Sequence, residues 1–143
     1  MRFMIIRMAD EQTEAGEQPP IEAIEQMVRY NEELAKAGVL VATEGVHPSV
    51  DGARISFKAG KPTITDGPFA EVKELIAGFT IIDVSSRDEA LEWVRRWPER
   101  DVELELRQVI TADEFDNLSD ELKEVIDTVR LPEPQREERP RAS

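Results

Sequence analysis

Thr65-Asp66-Gly67-Pro68-Phe69-Ala70-Glu71-Val72-Lys73-Glu74 joins two unlike stretches of chain, and its reading decides the fold. Asp66-Gly67-Pro68 turns the backbone sharply, because Gly tolerates positive φ while Pro fixes φ and removes a donor. Behind the turn, Arg54-Ile55-Ser56-Phe57-Lys58 alternates polar and apolar side chains, so Ile55 and Phe57 share one face of a strand. Ala59-Gly60-Lys61 is a short turn, and Pro62-Thr63-Ile64-Thr65 returns as the second arm of a small hairpin, with Pro62 suited to an edge. Ahead of the turn lies the most apolar run, Leu75 to Val84, which reads as a central strand. Gly78 inside it marks a bulge, or a close approach by another backbone or a ligand.

The remaining elements follow on both sides. Phe3, Met4, Ile5, Ile6 and Met8 make a short buried strand over residues 2–8, and the polar stretch Ala9 to Gln18 reads as a surface loop. Pro19-Pro20 introduces a helix whose apolar stripe is Ile21, Ile24, Met27, Val28, Leu34 and Ala35, and Gly38 ends it. Val39 to Ala42 starts a second strand that runs towards His47 and stops at Pro48. Ser86 with Glu89 forms a capping box that opens a second helix, with Ala90, Trp93, Val94 and Trp97 as its packing face. Val102, Leu104 and Leu106 alternate in a last strand, and the phase breaks near Arg107. This order is an α+β, ferredoxin-like βαββαβ protomer with a β-hairpin insertion. Two helices cover one sheet face, and a second subunit is expected to cover the other.

Length and composition bound the rest. The 143 residues, 40% of them hydrophobic, fit one domain over 1–112, a partly helical extension over 113–131 and a disordered tail over 132–143. The extension holds an amphipathic helix between Ser119 and Val129. A net charge of −13 argues against nucleic acid and anionic membranes as partners, since phosphate binding needs clustered Lys and Arg. The absence of cysteine excludes disulfides, thiolate nucleophiles and Cys-based metal sites, and is compatible with a cytoplasmic location. One histidine among scattered carboxylates gives no metal-ligand spacing, and no phosphate loop or dinucleotide fingerprint is present, so neither metal nor cofactor is expected.

Gly38-Val39-Leu40, Glu44-Gly45-Val46-His47-Pro48, Gly52-Ala53-Arg54, the ten residues from Thr65 to Glu74, and Gly78-Phe79 with Ile82-Asp83-Val84 together resemble the DGPF branch of the YCII-related family, over roughly residues 1–110. The resemblance implies a dimeric α/β barrel of ferredoxin-like protomers, and a His and an Asp lining a cleft, carried here onto His47 and Asp66. One related member is a dehydrochlorinase of a chlorinated hydroxyquinol, and the fold is shared with muconolactone isomerase-like enzymes. DGPF members are also linked to extracytoplasmic-function sigma factors. Ala77 and Thr80 depart from the usual pattern, where Gly and a larger aromatic are common.

The candidate site residues carry two readings each. His47 belongs to the residue type suited to proton transfer near neutral pH, or is a structural residue before Pro48. Asp66 orients His47, or caps its own turn. Glu71, Lys73 and Glu74 orient a polar ligand, or form a solvated charge cluster. Arg54 anchors an anionic group and Phe69 walls an aromatic one, or both serve surface and core. Two functions follow from different classes. One is a homodimeric enzyme that moves a proton beside a carbonyl in an unidentified small molecule, by isomerisation or elimination. The other is a non-catalytic accessory protein that partners a sigma factor.

Overall fold

The computed structural model describes residues 1–134. Its elements are β1 (Arg2–Met8), α1 (Glu11–Glu14), α2 (Ile21–Lys36), β2 (Leu40–Gly45), β3 (Ala53–Lys58), β4 (Lys61–Asp66), β5 (Ile76–Asp83), α3 (Arg87–Arg95), β6 (Leu104–Gln108) and α4 (Asp120–Val129). Four strands form one sheet in the order β2-β5-β1-β6, every neighbour antiparallel. This is the strand order of a split βαβ unit, so the expected α+β topology is present. β3 and β4 stand apart as a two-stranded hairpin, with Ile55 opposite Ile64 and Phe57 opposite Pro62.

Alternation along the strands builds the core. Phe3 and Ile5 of β1 pair with Ile82 and Thr80 of β5, and all four point to the helix-covered face. Tyr30 and Leu34 from α2, and Ala90, Trp93 and Trp97 from and just beyond α3, close over them. Tyr30 and Trp97 meet edge to face, ring centres 5.4 Å apart, and the Tyr30 hydroxyl donates to the Trp93 carbonyl at 2.7 Å. Both tryptophans are therefore packing residues. At Gly78 both expectations hold. The β1–β5 register shifts beside it, and a Cβ there would lie 2.8 Å from the Glu44 carbonyl oxygen.

Several local readings need correction. Ala9 to Gln18 is more than a loop, because Asp10 and Thr13 cap each other: the Thr13 N–H donates to Asp10 Oδ1 and the Asp10 N–H to Thr13 Oγ1, each at 2.8 Å, and one turn of helix follows. The box at Ser86 is half made. Its hydroxyl accepts from the Glu89 N–H at 3.1 Å, but the Glu89 carboxylate turns to Ser85, taking its N–H at 2.7 Å. The α2 stripe splits: Leu34 is buried, whereas Ile21, Ile24 and Val28 are 60%, 42% and 50% exposed, because the N-terminal half of the helix stands off the sheet. α4 begins where expected, capped by Ser119, whose hydroxyl accepts from the Leu122 N–H at 3.3 Å. Among the described residues no helix is long and apolar enough to cross a membrane. Of the stretch 132–143 expected to be disordered, residues 135–143 lie outside the described residues.

Candidate functional site

Two features lie near the end of the sheet where β2 finishes and β5 begins. The first is a junction of three turns. After β2 ends at Gly45, Pro48 leads into a short 3₁₀ turn, Ser49–Asp51. Glu14 reaches from α1 to hold Ser49 twice, accepting from its N–H at 3.0 Å and from its hydroxyl at 2.5 Å. The same hydroxyl accepts from the Phe69 N–H at 3.0 Å, and the Gly67 N–H donates to the Gly52 carbonyl at 2.9 Å. Gly67 lies so close that a Cβ would fall 1.7 Å from the Ser49 carbonyl oxygen. The Asp-Gly-Pro-Phe turn is thus bolted onto the His47–Ser49 turn, with a cis peptide between Gly67 and Pro68.

The candidate residues distribute unevenly around this junction. The His47 ring is 88% exposed, and its Nδ1 lies 3.2 Å from Asp51 Oδ2, so the carboxylate beside it is Asp51. Among the described residues no hydrogen bond joins His47 to Asp66, which ends β4 exposed to solvent. Arg54 and Phe69 do meet: the guanidinium carbon sits 4.0 Å above the ring centre, a cation–π contact that pins the base of the hairpin. Glu71, Lys73 and Glu74 are exposed around the 3₁₀ turn Val72–Glu74 and make no ion pair among the described residues.

The second feature is a cleft of about 730 Å³ between the N-terminal half of α2 and the helix-facing side of the sheet. None of the seven candidate residues lines it. Its apolar wall is Ala23, Ile24, Met27 and Val28 from α2, and Phe79 and Trp97 also belong to the lining. At its floor the hydroxyls of Thr43 and Thr80 lie 3.0 Å apart, Thr80 being 1% exposed. Asn31 also lines the cleft, and its buried Oδ1 has no hydrogen-bond partner among the described residues.

A charged network closes one end. Arg7 grips Glu99 with two nitrogens, at 3.3 and 3.0 Å, and reaches Asp10 at 3.2 Å and the Met8 carbonyl at 2.6 Å. Trp97 Nε1 donates to Glu99 as well, at 3.2 Å. Burial pulls the Arg7 pKa down, but its bonds to Glu99 and Asp10 outweigh that and leave it above the ordinary value. Asp10 is held below the usual carboxylate range, chiefly by the Thr13 N–H and further by Arg7. Sequence reasoning missed this network because Arg7 and Glu99 are 92 residues apart. The one local signal was the Asp10–Thr13 cap, which fixes Asp10 against Arg7.

An uncharacterized protein from Rhizobium meliloti (strain 1021) is 42% identical over 60 residues, which cover 42% of this chain and 48% of the relative. The match therefore spans about half the length of that relative. A solved structure of 5-chloro-2-hydroxyhydroquinone dehydrochlorinase from Burkholderia phenoliruptrix AC1100, in complex with 2,5-dihydroxybenzoquinone, superposes with a TM-score of 0.45 at 15% identity, covering 81% of this chain and all of that one. The model of the YCII-related domain matches residues 1–113, and the chain belongs to the YCII-related family.

Proposed function

We propose that this protein binds a small molecule in the cleft between α2 and the sheet, and that it does so as a homodimer. The observation that carries the binding site is the cleft itself. Its volume of about 730 Å³ lies inside the range of roughly 300–1,000 Å³ typical of ligand sites. It combines an apolar wall with a few convergent polar groups: the Thr43–Thr80 hydroxyls, Asn31 and the Arg7–Glu99 pair. Its charge narrows the ligand. Among the described residues Arg7 is the single cation of the lining and is already held by two carboxylates, while Glu17 and Glu44 add further negative charge. The site thus suits a neutral or cationic molecule that donates hydrogen bonds. Native mass spectrometry after incubation with a metabolite extract tests this. A small-molecule adduct is expected on the wild type and not on Ala23→Trp, which fills the cleft. No adduct, or one that survives the filling, removes the reading.

A second reading, proton transfer, draws on His47. Donation from Nδ1 to Asp51 leaves Nε2 as the basic nitrogen, facing solvent, which is the arrangement of a general acid–base pair. The reaction class is then isomerisation or elimination beside a carbonyl, with Asp51 orienting the ring in the role first given to Asp66. Once a substrate is in hand, His47→Ala should lower kcat at least about 100-fold. Unchanged turnover rules out catalysis by this ring.

A further inference from the structure

We infer that α1 couples the cleft to His47, with Glu14 as the positioning residue. The inference rests on the cleft as the binding site and on His47 as the proton-transfer group, and it names the link between them.

α1 touches both features. It and its flanking residues give the cleft Asp10, Gln12, Thr13, Glu17 and Gln18. Glu14 does not line the cleft. It holds the Ser49 N–H at 3.0 Å and the Ser49 hydroxyl at 2.5 Å, in the turn that follows His47. A second contact lies beside it: a Cβ on Gly16 would stand 3.7 Å from the Pro48 ring.

The segment is built to shift as one body. Internally it is tight. Asp10 and Thr13 cap each other, the Ala15 N–H donates to the Glu11 carbonyl at 3.0 Å, and the Glu17 N–H to the Gln12 carbonyl at 3.2 Å. Yet no residue of α1 is buried, so no core packing fixes its position. Polar ties do so instead: Arg7 to Asp10 at 3.2 Å, the Ala9 N–H to the Leu75 carbonyl at 2.8 Å, and Glu14 to Ser49. An element without buried apolar contacts belongs to the low-stability end of a fold. An occupant pressing on Gln12, Thr13 and Glu17 therefore moves α1 before it moves the sheet.

The His47 turn follows such a movement. The Asp51 N–H donates to the Pro48 carbonyl and the Gly52 N–H to the Ser49 carbonyl, each at 3.0 Å, so Pro48 to Gly52 is a single hydrogen-bonded unit. Asp51, the carboxylate beside the His47 ring, belongs to that unit. Displacing Ser49 thus displaces the group that orients the imidazole. A rival route runs along β2, because Gly45 lines the cleft and His47 is two residues further on. That route bypasses Glu14, which makes the two distinguishable.

His47 is the chain's one histidine, so its imidazole gives an unambiguous pair of proton resonances. Ala23→Trp places an indole in the cleft and stands in for an occupant, so no ligand is needed. It should displace the imidazole resonances and the Ser49 and Phe69 amides. Glu14→Ala should abolish that displacement, and Glu14→Gln, which keeps an acceptor for the Ser49 N–H, should restore it. In Glu14→Ala the Ser49 amide should also exchange roughly tenfold faster, having lost its acceptor. Met27→Trp repeats the comparison from the next turn of α2 if Ala23→Trp does not fold. Imidazole resonances that ignore the filled cleft overturn the coupling. So does a displacement that persists in Glu14→Ala, since it then travels along β2. The binding reading fails separately, through the missing adduct in native mass spectrometry, and the imidazole spectrum does not depend on it.

Discussion

The Ser49 hydroxyl donates to the Glu14 carboxylate at 2.5 Å and accepts from the Phe69 N–H at 3.0 Å, so one group touches α1, the turn after β2 and the Asp-Gly-Pro-Phe turn at once. What had the look of a catalytic motif is, in its backbone, a structural bolt. Gly67 is where that bolt is tightest. Gly67→Ala puts a methyl into the Ser49 carbonyl group, and neither backbone can yield without breaking the hydrogen bonds around it. The loss should be about 1–3 kcal/mol, read as a lowered urea midpoint. Ser49→Ala should cost roughly 1–2 kcal/mol, because the Phe69 N–H loses its acceptor. A Gly67→Ala protein as stable as wild type would show that the turns are not locked together.

The Arg7–Glu99 pair makes a second prediction. Its side chains are 12% and 28% exposed, so removing one partner leaves the other charge partly buried. Arg7→Met keeps the stem but strands Glu99 beside Asp10. A destabilisation of roughly 2–4 kcal/mol is expected. Arg7→Met with Glu99→Gln should recover part of it, because the stranded charge is then gone. If the double variant is no better than Arg7→Met alone, the pair is not an electrostatic unit.

His47 should behave in the opposite manner. With its ring 88% exposed, His47→Ala should change stability by no more than about 0.5 kcal/mol. A larger loss would mean that the ring supports the fold, and the proton-transfer reading would lose its simplest interpretation.

These contrasts show which parts of the molecule local sequence encodes. Leu75 to Val84 was legible because β5, paired along both edges, carries a continuous apolar run in which Ile81 and Ile82 are both buried. The hairpin was legible because Ile55 and Phe57 alternate with charges, and Ala59 and Gly60 both take the positive φ that a two-residue turn demands. α1 was hidden, since four residues cannot display a helical period and its cap is Asp–Thr rather than Ser–Glu. The carboxylate hydrogen-bonded to His47 is Asp51, four residues on, a local spacing that the expectation centred on Asp66 did not weigh. The cleft was out of reach for another reason. It exists only where Thr43 meets Thr80 and Arg7 meets Glu99, pairings set by sheet register and chain reversal. No spacing in the sequence records them.

Tyr30 supplies a prediction in pH. It is the only tyrosine, 4% exposed, with its hydroxyl on the Trp93 carbonyl. Burial disfavours the phenolate and pushes the pKa from 10.0 up to about 12. The unfolded chain ionises first, so this contribution to stability is whole below pH 10 and is lost as pH climbs towards 12. The full span corresponds to about 3 kcal/mol. Tyr30→Phe forfeits the hydrogen bond, at about 1 kcal/mol near neutral pH, but removes the phenol from the titration. Every other side chain is common to the two proteins, so the difference between their stability curves isolates this group. That difference should shrink between pH 9 and 11 and then reverse sign, with the phenylalanine variant the more stable of the two. Urea midpoints give the curves, and the tyrosinate absorbance of the folded wild type gives the pKa independently. Parallel curves, or phenolate forming in the native protein near pH 10, would show that water reaches the Tyr30 hydroxyl and that the α2–α3 contact is looser than its packing implies.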